Sequence, residues 1–355
     1  MKLLIINPGS TSTKMSVYED EIPVLDRELS HETKELSRFE KITDQFNFRK
    51  QVILDAVNEA RIKIEDLDAV VGRGGLVKPL AGGTYRVNDA MLRDLKIGVQ
   101  GEHASNLGGL IAYEIASEAG KPAFVVDPVV VDELDPISRI SGHPDIPRKS
   151  VFHALNSKAI ARQYCKEAGK TYADVTVIVA HMGGGISVSI HHKGRVIDIS
   201  NALTGEGPFS PERSGALPAG DIAALCYSGK THAEIKKMLT GQGGIVAYLG
   251  TNDVKTVVEK SKTDPNAKLI LDAMIYQISK EIAAMSTAVC GKIDAILLTG
   301  GMAFGKYITD GIKERVGFIG EVHVYPGGHE HLALAQGAIR VLKGEEEAKT
   351  YKQEE

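Results

Sequence analysis

The chain has 355 residues, more than one ordinary core of ~100–200 residues accommodates, so two domains of similar size are expected. Hydrophobic residues make up 43% and charged residues 25%, which excludes a disordered or fibrous class. Lys and Arg total 42 against 46 Asp and Glu, a net charge of −4, which leaves no basic field for nucleic acid or an anionic membrane and points to small-molecule partners.

The apolar run Leu3-Leu4-Ile5-Ile6 breaks at Asn7-Pro8-Gly9. It is too short for a signal-peptide core or a membrane span and reads as a strand. It enters a Gly turn with small hydroxyls and then a second, alternating strand, Ser12-Thr13-Lys14-Met15-Ser16-Val17. A helix from Gln51 to Arg61 and a strand from Ala69 to Val71 lead to Gly72-Arg73-Gly74-Gly75. A helix from Ala104 to Ala119 and a strand from Ala123 to Val126 follow, and Pro128, Pro136, Pro144 and Pro147 then mark a domain boundary between Asp127 and Ser150. Beyond it come a helix from His153 to Ala168 and a strand from Val175 to Ala180, which continues as His181-Met182-Gly183-Gly184-Gly185 into the strand Ser187-Val188-Ser189-Ile190. His191-His192-Lys193-Gly194 reads as a hairpin turn toward Val196-Ile197-Asp198, with both histidines solvated and neither a metal ligand. The rest is a helix from Asn266 to Val289, strands from Ala295 to Leu298 and Val322 to Tyr325, a helix from Glu330 to Leu342, and a charged tail from Gly344 expected to fray. The strand, Gly turn and strand syntax occurs twice, so a duplicated hairpin opening each domain of a layered α/β fold is the simplest reading.

Gly turns after buried strands expose backbone N–H groups and form concavities suited to phosphates. Three occur, at Gly9, at Gly183 to Gly185 and at Gly300-Gly301. Neither G-x-x-x-x-G-K-[ST] nor a helix-opening G-x-G-x-x-G is present, which disfavours P-loop and dinucleotide folds. Arg73 brings a fork of cationic donors to a strand end; the alternative is a surface arginine. Arg213 lies in the Pro- and Gly-rich loop Pro208-Phe209-Ser210-Pro211-Glu212-Arg213-Ser214-Gly215, with a salt bridge to Glu212 as the plainer reading. His103, His153 and His181 sit at element boundaries, as capping groups or facing a cleft. His329-Glu330-His331 lacks H-E-x-x-H spacing, and Glu330 at a helix start suits a hard cation better than zinc. Cys165, Cys226 and Cys290 are odd in number and scattered, which fits a reducing cytoplasm without disulfides.

Together, Asn7 to Lys14 (N-P-G-S-T-S-T-K), Gly72 to Gly75, Phe152-His153, His181 to Gly185, Glu212 to Gly215, Gly300-Gly301 and His329 to Ala333 resemble the acetate and butyrate kinase family. That family is a branch of the actin, hexokinase and heat-shock ATPase superfamily. The resemblance implies two duplicated α/β domains of that type with a central cleft, the helix from Glu330 returning to the first domain. The domains are then 1–145 plus 331–355 for acyl and phosphate binding, and 146–330 for nucleotide. It implies ATP/ADP and Mg²⁺ as cofactors, with Asn7 and Glu330 at the metal and Ser10, Ser12, Lys14, His181 and Gly183-Gly184-Gly185 near phosphates. By the same resemblance Gly300-Gly301 would line the adenosine pocket, and Arg73, Asp127, His153 and Arg213 match the family's catalytic residues. The triple glycine at 183–185 and Gly74-Gly75 after Arg73 depart from the acetate kinase pattern toward the butyrate kinase branch. Without side chains at Gly74 and Gly75, an acyl cavity is expected beside Arg73, with Phe152 in the same pocket. A homo-oligomer, dimer or larger, completes the reading.

A carboxylate is already ionised near neutral pH, because carboxyl groups titrate at about 4, so the nucleophile needs no general base. Positioned cations must overcome repulsion between two anions and hold the charge of the transition state. Arg73 is expected to orient the carboxylate, Arg213 and His153 to bond the transferring group, and Asp127 to fix Arg73 or a metal-bound water. The product would be an acyl phosphate. A sugar or alcohol kinase would need a carboxylate base, for which Asp127 could serve, yet would have little use for two acceptor-side arginines. A nucleotide-switched binding protein would need an exposed peptide-binding segment, and none is visible.

Overall fold

The computed structural model describes residues 1–203 and 205–352. These form two compact units, Met1–Val131 with His329–Glu355, and Asp132–Gly328.

In the first unit β1 (Lys2–Pro8), β2 (Ser12–Glu19) and β3 (Ile22–Ser30) form an antiparallel meander. Strand β4 (Ala69–Gly72) runs parallel beside β1, and β6 (Ala123–Val126) parallel beside β4, with β5 (Thr84–Arg86) antiparallel outside β6. Leu3, Leu4, Ile5 and Ile6 are all fully buried because helices pack on β1 from both sides. Leu4 and Ile6 join Leu107, Leu110 and Ile111 of the helix Asn106–Glu118 in one core. Leu3 and Ile5 point oppositely by the two-residue period, and the helix Glu330–Leu342 also packs on β1. A strand covered on both faces reads as a continuous apolar run, and each such side chain stabilises the fold by about 1.5–3 kcal/mol.

The second unit repeats the path. Strands β7 (Thr176–Met182), β8 (Ile186–His192) and β9 (Arg195–Ile199) form a meander, β10 (Ala295–Gly300) runs parallel beside β7, and β11 (Val322–Pro326) parallel beside β10. The order β3-β2-β1-β4-β6 thus recurs as β9-β8-β7-β10-β11, so the duplication extends from the hairpin to five strands. The helix Ala154–Ala168 packs on β7 and β10, and Pro265–Ser286 on β7 and β8.

Three expectations change. The division falls at 131/132, inside the interval from Asp127 to Ser150 but ahead of 145/146, and at 328/329 instead of 330/331. Residues 132–145 are tied to the second unit by Glu133, which meets buried Lys158 at 2.8 Å and the Val196 amide at 2.8 Å, and by Asp135, which meets Arg195 at 3.0 Å. The tail does not fray: Lys349–Thr350 pairs with β5, and buried Tyr351 donates its hydroxyl to Asp94 at 2.6 Å. Residues 353–355 of that tail lie outside the described residues. The β8–β9 turn is Lys193-Gly194, both at positive φ, so His191 and His192 belong to β8. His191 is fully buried between the Tyr172 hydroxyl at 2.8 Å and Ser189 Oγ at 3.0 Å, while half-buried His192 meets Thr176. Among the described residues, no helix is long and apolar enough to cross a membrane.

Candidate active site

In the first unit the ends of β1 and β4 and the start of the last helix converge. Arg73, one residue beyond β4, donates from Nη1 to Glu330 Oε2 at 2.7 Å and Asn7 Oδ1 at 3.2 Å. Asn7 Nδ2 donates to the same Glu330 oxygen at 2.9 Å. Glu330 occupies the first turn of its helix, where an anion is favoured. The next residue, His331, hydrogen-bonds Ser16 Oγ through Nδ1, and Ser16 donates to Asp26 at 2.8 Å, which ties this turn to β2 and β3.

Asp127, fully buried just after β6, takes the Gly83 amide on Oδ1 at 2.7 Å while its own amide donates to the Gly83 carbonyl at 3.0 Å. Its φ of 37° is a conformation that Asp tolerates better than most residues. Between β1 and β2, Ser10 and Thr11 are exposed, and Ser12 donates to Glu28 at 3.0 Å. Lys14 lies 3.9 Å from the same carboxylate. Glu28 of β3 was not anticipated; by β-register it faces Lys14 across the ladder.

In the second unit, His153 and His181 stack with ring centroids 3.8 Å apart and planes within 12°. His181 Nδ1 meets the Asn156 side-chain amide at 2.7 Å. His153 Nδ1 meets Ser187 Oγ at 2.9 Å. Ser187 sits directly opposite His181 in the β7–β8 ladder, and Asn156 lies in the first turn of the helix that His153 opens. Phe152 is buried immediately before His153. Arg213 lies against the Gly185 backbone: a Cβ there would stand 2.2 Å from Arg213 Nη1. Its guanidinium donates to the Ala202 carbonyl, while Glu212 takes the Asn252 amide at 2.5 Å, so a pairing of Arg213 with Glu212 is not what holds this loop. Burial pushes the Arg213 guanidinium below its ordinary range, with Glu212 acting the other way. Ser210 Oγ donates to the Gly184 carbonyl at 2.6 Å, joining the Arg213 loop to the glycine turn. Gly300 has φ 89°, and a Cβ there would meet the Met182 carbonyl at 2.3 Å, so only glycine brings the ends of β10 and β7 this close.

At Gly74 and Gly75 the positions that side chains would take are filled by neighbouring atoms. A Cβ at Gly75 would stand 2.5 Å from Asn106 Cα, and one at Gly74 would stand 2.5 Å from both Pro128 Cβ and Val125 Cγ1. A Cβ at Gly72 would likewise meet the Gly108 backbone, and one at Gly108 the Arg73 backbone. Gly72, Gly75 and Gly108 let the helix Asn106–Glu118 approach the strand end that carries Arg73.

A family model described as the Acetokinase family matches residues 145–318. Butyrate kinase 1 of Clostridium acetobutylicum is 57% identical over 353 residues, 99% of both chains. Butyrate kinase 2 of the same organism is 55% identical over the same share. The crystal structure of Porphyromonas gingivalis acetate kinase aligns with a TM-score of 0.77 at 19% identity, covering 96% of this chain and 99% of that one. At that identity the likeness defines the fold, a duplicated α/β architecture of the actin and hexokinase type. The chain belongs to the acetokinase family, and it is a carboxylate kinase.

Proposed function

We propose that this chain transfers the γ-phosphoryl group of ATP to butyrate or a branched analogue, reversibly, giving an acyl phosphate and ADP. The observation that carries the reading is the junction of Arg73 with Asn7 and Glu330, in a chain alike over 99% of its length to butyrate kinase 1. Arg73 is a cation poised at a strand end, and the incoming carboxylate would take over its donors from Glu330. A carboxylate oxygen forms the new O–P bond as the bond from Pγ to the β-phosphate oxygen breaks, and no proton changes hands. The stacked His153–His181 pair and Arg213 would hold phosphoryl oxygens, and preorganised donors of this kind supply much of the rate in such sites. Asp127 would act through the Gly83 backbone it holds. Asn7 Oδ1 and Glu330 Oε2 already converge on one cationic atom, and such a hard oxygen pair suits Mg²⁺, which keeps most of its waters. When bound there, Mg²⁺ would neutralise phosphate charge. The proposal extends to a homo-oligomer, which sedimentation would report.

With MgATP and a panel of acids, hydroxylamine should trap butyryl hydroxamate in larger yield than acetyl hydroxamate. Glycerol and hexoses should give no phosphorylated product. Sugar phosphate without hydroxamate would overturn the reading, and a preference for acetate would move it to an acetate or propionate kinase.

A further inference from the structure

The β1–β2 turn is built around a cation that no sequence motif marked. Arg49 is fully buried in the first turn of the helix Phe46–Glu59. Its guanidinium donates to the carbonyls of Gly9 at 2.8 Å, Ser12 at 3.0 Å and Ser10 at 3.2 Å, to Thr13 Oγ1 at 3.0 Å, and to Gln45 Oε1 at 3.0 Å. Every acceptor is neutral, and among the described residues no carboxylate pairs with it. Such a charge is expensive to bury unpaired, and a helix N-terminus is the wrong end for a cation. Burial accordingly lowers the Arg49 guanidinium from its ordinary value. The adjoining His31, bonded to Thr13 Oγ1 at 2.8 Å, is lowered by burial and then by the Arg49 charge.

What this placement does is visible in the turn. The Thr11 carbonyl is taken by the His31 amide at 2.9 Å, and the Ser12 carbonyl also accepts from Gly9 at 2.8 Å. Four successive carbonyls, from Gly9 to Ser12, are therefore drawn inward. The amides of exposed Ser10 and Thr11 donate to no acceptor among the described residues. Inward carbonyls with outward amides form a concavity for an anion.

We propose that Arg49 is a positioning residue for phosphoryl binding: it locks the Gly9–Thr13 turn with the Ser10 and Thr11 amides outward and places a fixed positive charge behind them, which a bound phosphate balances. Arg49 touches no ligand itself. The inference rests on the kinase reading only for the identity of the anion as a phosphoryl group.

The test compares Arg49→Met and Arg49→Lys with the wild-type chain. Inorganic phosphate is the probe for thermal stabilisation, and MgATP and acyl phosphate are the substrates for kinetics. Wild type should gain thermal stability with phosphate. Arg49→Met should lose that gain and show KM for MgATP and for acyl phosphate raised at least tenfold, more than kcat falls. Arg49→Lys keeps the charge without the fork and should fall between. A purely supporting role would lower the anion-free unfolding midpoint and the active fraction but leave KM and the phosphate-dependent shift intact, and that result overturns the proposal. Should Arg49→Met not fold, Arg49→Lys decides: wild-type KM and a wild-type phosphate shift overturn it. The phosphate shift needs no turnover, so a wild type that makes no acyl phosphate would sink the kinase reading while leaving this test standing.

Discussion

Arg73 and Arg213 hold contrasting positions that predict similar losses of rate. Arg73 pairs with Glu330 across 2.7 Å with both side chains about a third exposed, so the pair contributes little stability. Arg73→Ala should lower kcat by at least ~10²-fold, the scale of removing one transition-state donor, and leave the unfolding midpoint nearly unchanged. Arg213 is more enclosed, and Arg213→Ala should match the loss of rate with a somewhat larger fall in midpoint; retained turnover in either variant would refute its role. His191 answers a different question. It is buried, and desolvation first, then Lys158 and Arg162, hold its imidazole well below the ordinary value. The unfolded imidazole takes up a proton near pH 6.5, which the folded one refuses. Its contribution to stability is therefore complete above that pH and is lost as pH falls through it, by up to about 1.4 kcal/mol per unit. Urea unfolding at pH 7.5 and 5.0 should show a smaller gap in His191→Gln than in wild type, and an equal gap would assign the acid sensitivity elsewhere.

At the scale of elements, two glycines of similar appearance should fail in opposite ways. A methyl at Gly185 would meet only the end of the Arg213 side chain, which can swing away. Gly185→Ala should then keep its midpoint and lose kcat much as Arg213→Ala does. A methyl at Gly75 meets the Asn106 backbone at 2.5 Å, so Gly75→Ala should lower the midpoint and depress every acid together without changing their ratio. Steady-state kinetics beside thermal melts would separate the two, and an altered acid preference in Gly75→Ala would restore the acyl cavity to that spot. The glycine motifs were legible in sequence, but what fills the space beside them is decided by a distant helix. Buried strands such as Ala123–Val126 were equally legible because their apolar runs are continuous. Strand β3 was not, since as a sheet edge it buries little, and the helix Lys306–Val316 was hidden by Gly311, where an added Cβ would stand 3.1 Å from Ile275. The Asn88 cap of the helix Asp89–Ile97, accepting from Met91, was a readable start signal left unused. Ser187 could have been found by counting back from the three-residue turn that pairs Met182 with Ile186. Arg49 could not, because its role depends on a turn some forty residues away.

At the scale of the whole chain, the first unit is assembled from both ends of the sequence, with Met1–Val131 completed by His329–Glu355. Tyr351, in the segment that follows the last helix, is part of its core. Tyr351 is buried, its hydroxyl donates to Asp94 at 2.6 Å and accepts from the Lys78 amide at 3.1 Å, and its carbonyl takes the Asn88 side chain at 2.8 Å. Glu346 adds bonds to Thr84 at 3.0 Å and Arg340 at 2.8 Å. A tail that merely frayed would tolerate any substitution at Tyr351. Removing a buried aromatic side chain instead costs about 3–5 kcal/mol, and each kcal/mol moves the midpoint by roughly 2–4 °C for a unit of this size. Tyr351→Ala should therefore unfold on the order of 10 °C below wild type, while Tyr351→Phe, which keeps the ring and loses the bonds to the Lys78 amide and the Asp94 carboxylate, should fall by less. Neither substitution touches Arg73, Asn7 or Glu330, so kcat measured well below the midpoint should remain near wild type. A Tyr351→Ala protein melting with wild type would show that the C-terminal strand contributes nothing to the unit it closes.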